Sequence, residues 1–239
     1  FKTGIRPSKF KKLNKNTQTY FDILKKAGYH FYSFLPPSAN VIGIFPKFEN
    51  DDCYDVTPRF KMGLDEKIKN FLSTPKKQPW VCYVHSFNLH FPILSPQGFE
   101  DEKFGINNYE KQISLIDNSI GDILKLVDLK NTLLIFTSDH GAYFQTVISN
   151  GKKINYETKG DLQNLTLKMT NKIPLPLHST KTKLFVALEK IKKKKRLKDV
   201  NNLNLKPHEL RGLLHQRTNP DNFLYDDLVH VPLLLFGHG

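Results

Sequence analysis

Apolar and polar positions along this chain alternate with two different periods, and each change of period marks an element. Between Thr17 and Ala27, Tyr20, Ile23, Leu24 and Ala27 fall at helical spacing, and Gly28 stands where a C-terminal cap belongs. Tyr29-His-Phe-Tyr-Ser-Phe-Leu35 reads as a strand, stopped by Pro36 and Pro37. Residues 36–62, with their Pro, Asn, Asp and Gly, read as a long loop at a sheet edge. Leu64 to Leu72 predicts a short amphipathic helix, broken by Thr74-Pro75. Trp80-Val-Cys-Tyr-Val-His-Ser86 predicts a second, buried strand running into Phe87-Asn-Leu-His-Phe-Pro92, and residues 93–107 a loop. The longest predicted helix is Tyr109 to Leu129, with Ile113, Ile116, Ile120, Ile123, Leu124 and Val127 recurring on one face. A short turn then leads to Asn131-Thr-Leu-Leu-Ile-Phe-Thr-Ser-Asp-His-Gly141, an apolar run that ends abruptly in Ser138, Asp139 and His140. This pattern predicts a buried parallel strand that stops at a turn.

After Gly141 the regular alternation breaks. Ser149-Asn150-Gly151 predicts a hairpin turn between Thr146–Ile148 and Lys153–Tyr156. Leu162–Met169 alternates weakly, as an edge strand would, and Lys183–Leu197 reads as a basic helix. Core character returns in Phe223-Leu-Tyr-Asp-Asp-Leu-Val-His230, a short helix, and in Val231-Pro-Leu-Leu-Leu-Phe236, a final buried strand. The order of elements predicts an α/β fold with a mainly parallel central sheet and helices on both faces. Residues 1–239 are read as one domain, with 142–214 a basic, peripheral insertion. No internal repeat is visible.

Composition narrows this picture. A chain of 239 residues has ample material for a core, and no apolar run approaches the roughly 20 residues that span a bilayer. Cys53 and Cys82 are too few for a disulfide scaffold or a Cys-rich zinc site, and Cys82 falls inside a strand as a small core residue. The first residues, Phe1-Lys-Thr-Gly4, lack Met and any signal-peptide pattern, so the start reads as an arbitrary cut and the compartment stays unread. The net charge of +13 is concentrated in Lys181–Lys198, above all in Lys192-Lys-Lys-Lys-Arg196. Such a run is either a solvated helix face or a surface for polyanions, and no motif with base-stacking aromatics accompanies it, so no specific nucleic acid is expected.

The chemistry gathers at strand ends. Ligands in open α/β sheets collect outside the carboxyl ends of strands. Asp139 and His140 would stand there with a hard oxygen and an imidazole nitrogen, as candidate metal ligands or as caps of the next element. His85 and His90 lie at or just past the end of the Trp80 strand. Strand alternation sets His85 on the face opposite Val84, where a core role is equally open.

These pieces occur in the order used by the sulfatases of the alkaline phosphatase superfamily. Thr3-Gly-Ile-Arg-Pro7 resembles the T-G-x-x-P that follows the nucleophile motif there, and Thr19 to Tyr29 resembles the family's helix and Gly-Tyr turn. Trp80 to Pro92 is similar to the strand whose His-x-Pro lies over the substrate, and Thr132 to Gly141 to the metal-binding strand. Leu224-Tyr-Asp-Asp-Leu-Val-His-Val-Pro232 resembles the L-Y-[DE]-E-x-x-x-V-P segment that closes the active-site half, leaving 142–214 unmatched. The resemblance implies a metal-dependent hydrolase of sulfate esters, some of them anionic glycans. Asp139 and His140 would bind the metal, calcium in most sulfatases, and His90 would serve as donor or general acid. Zinc or manganese would replace calcium in a phosphotransferase or phosphodiesterase of the same superfamily, and a non-catalytic polyanion-binding relative is a third reading.

The chain departs from the family pattern in three places. The formylglycine nucleophile of a C/S-x-P-x-R motif is expected upstream of Thr3, with an Asp pair further upstream, so the 239 residues alone are expected to show no turnover. Ser73-Thr-Pro-Lys-Lys77 imitates that motif in the wrong place, with Lys for Arg. Ala142 replaces the Glu often found after D-H-G. Pro220 and Asp221 stand where a Lys or His usually holds the anion, which leaves His215 or Arg217 of the preceding loop as candidates for that role.

Overall fold

A computed structural model describes residues 18–42, 45–90, 93–142, 146–156, 203–214 and 229–237, with residues 194, 197, 198 and 200. The Thr3–Pro7 motif, His215, Arg217, the Leu162–Met169 stretch, most of the basic run and residues 221–228 lie outside these described residues. The chain divides into two compact units, residues 1–99 with 112–127 and residues 100–111 with 128–239.

In the first unit, helix α1 (Tyr20–Lys26) starts on a capping box. The Thr19 hydroxyl accepts from the Asp22 amide at 3.3 Å, and the Asp22 carboxylate accepts from the Thr19 amide at 2.7 Å. Two donors that the first turn leaves unpaired are thereby satisfied. The helix ends as its sequence implies. Gly28 takes φ +87, its amide donates to the Lys25 carbonyl and the Tyr29 amide to the Leu24 carbonyl, the paired bonds of a Schellman motif.

The chain then enters strand β1 (His30–Phe34), which pairs in parallel with β2 (Trp80–Val84) through the crossover helix α2 (Leu64–Ser73). The register runs from His30 opposite Trp80 to Phe34 opposite Val84. On the other edge of β1 the Asn50 side chain replaces a strand. Its Oδ1 accepts from the Ser33 amide at 3.1 Å and its Nδ2 donates to the Ser33 carbonyl at 2.9 Å. That pairing explains how Ser33 is fully buried in an otherwise aromatic strand.

Phe34, Phe60, Leu64, Ile68, Phe71, Leu115 and Ile123 form the core of this unit, with Trp80 and Cys82 packed against it. Phe71 stands edge-on to Trp80, centroids 5.3 Å apart. Both cysteines are free, and burial pushes the Cys82 thiol up to about 12, as fits a small core residue. Helix α3 (Asn108–Leu124) ends earlier than the periodicity implies, and it buries a different line of residues. The buried positions are Gln112, Leu115, Ser119 and Ile123, whereas Ile113 is exposed. Ile116, Ile123 and Val127 of the predicted stripe do pack in the core, but Gln112 joins them there, buried through hydrogen bonds rather than through apolar contact.

In the second unit, β3 (Leu134–Thr137) pairs with β6 (Leu233–Phe236), and β4 (Thr146–Ser149) with β5 (Lys152–Asn155), both antiparallel. The β4–β5 hairpin matches its sequence signal. Asn150 and Gly151 take φ +51 and +71, the left-handed pair that a two-residue type I′ turn needs. Val147, Val200 and Leu213 form a small second core with Ile154, Tyr156, Leu203 and Leu205, under helix α4 (Pro207–Leu214).

The α/β character expected from the sequence is present, but among the described residues a mainly parallel central sheet is not. One two-stranded sheet is parallel and two are antiparallel. Among the described residues β1-α2-β2 joins two paired strands through a helix, the connection that enforces parallel pairing. β6 arrives after a long intervening segment, and a four-residue apolar strand carries no signal of direction. The expected burial of β3 and β6 is also corrected. All four residues of β6 are exposed, and β3 alternates between half-buried and exposed.

Candidate functional site

The first unit presents two histidines around one phenylalanine. The His85 amide extends the β1–β2 ladder by donating to the Phe34 carbonyl at 3.0 Å, which places His85 at the end of the pair, half-buried. The chain then turns. The Phe87 amide donates to the Pro58 carbonyl at 2.7 Å, and the His90 amide to the Phe87 carbonyl at 3.1 Å. The Phe87 ring stacks on His90 with centroids 4.7 Å apart and meets His85 edge-on at 5.7 Å. His90 is exposed and can meet a substrate, while half-buried His85 can meet one less easily.

Beneath this turn lies a buried polar network that the sequence reading did not single out. Asn88 is 2% exposed. Its Oδ1 accepts from the Phe60 amide at 2.7 Å and from the Ser86 hydroxyl at 2.6 Å. Its Nδ2 donates to Gln112 Oε1 at 2.8 Å, and Gln112 Nε2 donates to the Leu94 carbonyl at 2.9 Å. The Arg59 guanidinium, also buried, donates to the Asn88 carbonyl at 3.3 Å, and desolvation holds its pKa below the usual range. The one signal available in the sequence was Gln112 itself, a polar residue three positions before Leu115 on an otherwise amphipathic helix.

The second unit presents Asp139 and His140 just after β3, both largely exposed. The turn is ordered by its own short side chains. Ser138 Oγ donates to the His140 carbonyl at 2.6 Å, and Asp139 Oδ1 accepts from the His140 amide at 3.0 Å. His140 Nδ1 lies 2.6 Å from the Gly141 carbonyl oxygen, which can only accept, so Nδ1 carries the proton and Nε2 the lone pair in the neutral ring. That leaves Asp139 Oδ2 and His140 Nε2, two acceptors 3.8 Å apart. In that tautomer both atoms can accept, and their separation lets both reach one ion at about 2.3–2.6 Å.

A hard divalent ion therefore fits this pair as part of its shell. Among the described residues no group of three or more His, Cys, Asp or Glu could hold a metal. His90 belongs to the first unit and the Asp139–His140 pair to the second. His215 and Arg217, the sequence candidates for holding the anion, lie outside the described residues. No helix among the described residues is long and apolar enough to cross a membrane.

The family model described as Sulfatase matches residues 2–238. An N-acetylgalactosamine-6-O-sulfatase of Bacteroides thetaiotaomicron is 32% identical over 82 residues, which take in 33% of this chain and 16% of that protein. The aligned part thus spans about a sixth of that curated relative's length. Among solved structures, a protein of the alkaline phosphatase superfamily from Vibrio parahaemolyticus is similar at 19% identity and a TM-score of 0.34, covering 52% of this chain and 35% of that one.

Proposed function

The chain belongs to the sulfatase family, and we propose that it serves the hydrolysis of sulfate esters, with His90 as a proton donor and the Asp139–His140 pair as metal ligands, the roles the resemblance implies. The observation that carries this reading is the family match over residues 2–238, within which the Asp139–His140 turn sets Asp139 Oδ2 and His140 Nε2 3.8 Å apart. Asp139 Oδ2 and His140 Nε2 would hold the divalent ion, calcium on the family resemblance. When bound, that ion neutralises the charge of the ester and of the nucleophile beside it.

The family's nucleophile motif does not occur in the 239 residues. In the proposal it lies before Phe1 as formylglycine. A hydroxyl of its hydrate loses its proton and attacks sulfur as the bond from sulfur to the ester oxygen breaks. The second hydroxyl then loses its proton and expels sulfate, restoring the aldehyde. His90 gives its proton to that leaving oxygen. Its place on an exposed turn, stacked on Phe87, supports that role. His215 or Arg217 would hold the remaining anionic oxygens.

A sulfated carbohydrate is the substrate class proposed. The carbohydrate sulfatase among the relatives supports it, as does the cationic Lys181–Lys198 run, which would attract a polyanionic chain.

The test uses the full-length gene product with p-nitrophenyl sulfate, p-nitrophenyl phosphate and a sulfated glycan. Turnover of the sulfate ester is expected, with His90→Ala lowering kcat by about 10²- to 10⁴-fold and Asp139→Ala weakening calcium dependence. The 239-residue chain alone should show no turnover. Hydrolysis of the phosphate ester but not the sulfate ester would replace this reading with phosphoryl transfer.

A further inference from the structure

The polar network under the His90 turn does more than satisfy buried groups. Residues 88 and 94 flank His90, and one side chain on a different element holds both. Gln112 Oε1 accepts from Asn88 Nδ2 at 2.8 Å while Gln112 Nε2 donates to the Leu94 carbonyl at 2.9 Å. Gln112 projects from the second turn of helix α3 and is 4% exposed, so its amide has little alternative in water. Asn88 is in turn held through the Phe60 amide at 2.7 Å, and its carbonyl receives Arg59. The near side of the turn is thus anchored to the segment that precedes α2, and both sides to α3.

An apolar residue would be the ordinary occupant of position 112, facing the same side as Leu115 and Ile123. A buried amide costs free energy unless both its donor and its acceptor are matched. Here both are matched, and both partners belong to the segment that carries His90. From this we infer that Gln112 is a positioning residue for His90, stapling the two sides of its turn so that the imidazole is held in one orientation on Phe87. The inference rests on the proposed role of His90, which it deepens by naming what holds that side chain in place. It requires a rigid, non-loop support for a group that must sit within a fraction of an ångström of its working position.

The experiment is a double-mutant cycle in the full-length protein, joined to a direct view of the imidazole. Gln112→Leu is expected to lower kcat by about 10- to 100-fold with a smaller change in KM. In a His90→Ala background the same substitution should change kcat by less than about twofold, because nothing remains to be positioned. An equal factor in both backgrounds would show that Gln112 acts on the fold at large, and would overturn the inference. By NMR, the His90 Cε1–H signal should shift or split in Gln112→Leu while that of His30 stays in place. An unmoved His90 signal in a folded variant also overturns it.

Gln112→Glu guards against a variant that merely unfolds. It keeps the acceptor for Asn88 and loses the donor to Leu94, so an intermediate kcat and a partial NMR shift are expected, and a wild-type kcat and signal would count against the staple. A His90→Ala enzyme that turns over normally would sink the proposed role of His90 itself. The NMR result is independent of turnover, so the two failures are distinguishable.

Discussion

Replacing Asn88 by alanine should cost more than any contact-poor loop position in the protein, because the side chain is the sole organiser of two buried groups. The Phe60 amide loses its acceptor at 2.7 Å and the Gln112 carbonyl its donor at 2.8 Å, in residues that are 7% and 4% exposed. Each orphaned buried group costs roughly 1–3 kcal/mol. The Ser86 hydroxyl is half-buried and can turn to water, and the 3.5 Å contact with the Phe60 carbonyl is too long to weigh much. A water entering the vacated space would recover part of the loss. The expected destabilisation is therefore about 3 kcal/mol. Urea unfolding followed by Trp80 fluorescence measures it, since Trp80 is the single tryptophan and packs on the core of the same unit. The midpoint should fall with the slope unchanged. Ser86→Ala removes a donor to Asn88 Oδ1 and the acceptor of the Asn88 amide at 3.2 Å but leaves the Phe60 and Gln112 groups paired, and should cost less than Asn88→Ala, about 1–2 kcal/mol. A loss below about 1 kcal/mol for Asn88→Ala would refute the claim that these hydrogen bonds hold the turn.

Other perturbations test other parts of the fold. Leu64, 1% exposed at the start of α2, is ringed by Phe34, Phe60 and Ile68 in the core, so Leu64→Ala should cost about 2–5 kcal/mol in the same urea assay. The Asp55 carboxylate is held below its usual pKa, first by the Lys67 ammonium at 3.0 Å and then by the Thr57 amide. A depressed folded-state pKa stabilises above the unfolded value near 4 and loses that contribution as pH falls through the folded one. The stability gap between wild type and Asp55→Asn should therefore be present at pH 6, under about 1 kcal/mol for a partly exposed pair, and close as pH falls below the unfolded value and through the lowered folded one. A gap that widens on acidification would contradict this sign. Gly237 takes φ +107, and a Cβ there would lie 2.1 Å from the Thr132 carbonyl oxygen, so Gly237→Ala should loosen the β3–β6 pair. Faster amide exchange at Ile135 and Leu235, with β1–β2 unchanged, is the expected readout.

Much of the chain was legible residue by residue because its signals are local. The Thr19 cap, the Gly28 stop, the Asn150-Gly151 turn and the strands at His30 and Trp80 depend on neighbours a few positions away, and the structure places each as expected. The hydrogen bonds of the Asp139–His140 turn that link Ser138, Asp139, His140 and Gly141 are equally local. The order of short motifs was legible too, and the family match over residues 2–238 agrees with it.

What the sequence by itself determined, then, is the identity of the elements, the family and the residues that carry the candidate chemistry. Tertiary structure decided the rest. The direction in which β6 meets β3 depends on how the chain returns over nearly a hundred residues, and four apolar residues look alike from either end. The buried face of α3 was decided by Gln112, whose burial is favourable only because Asn88 and Leu94, 24 and 18 positions away, happen to offer a donor and an acceptor. Hydrophobic period can be read along one chain segment, whereas the pairing of a buried amide exists only when distant segments meet.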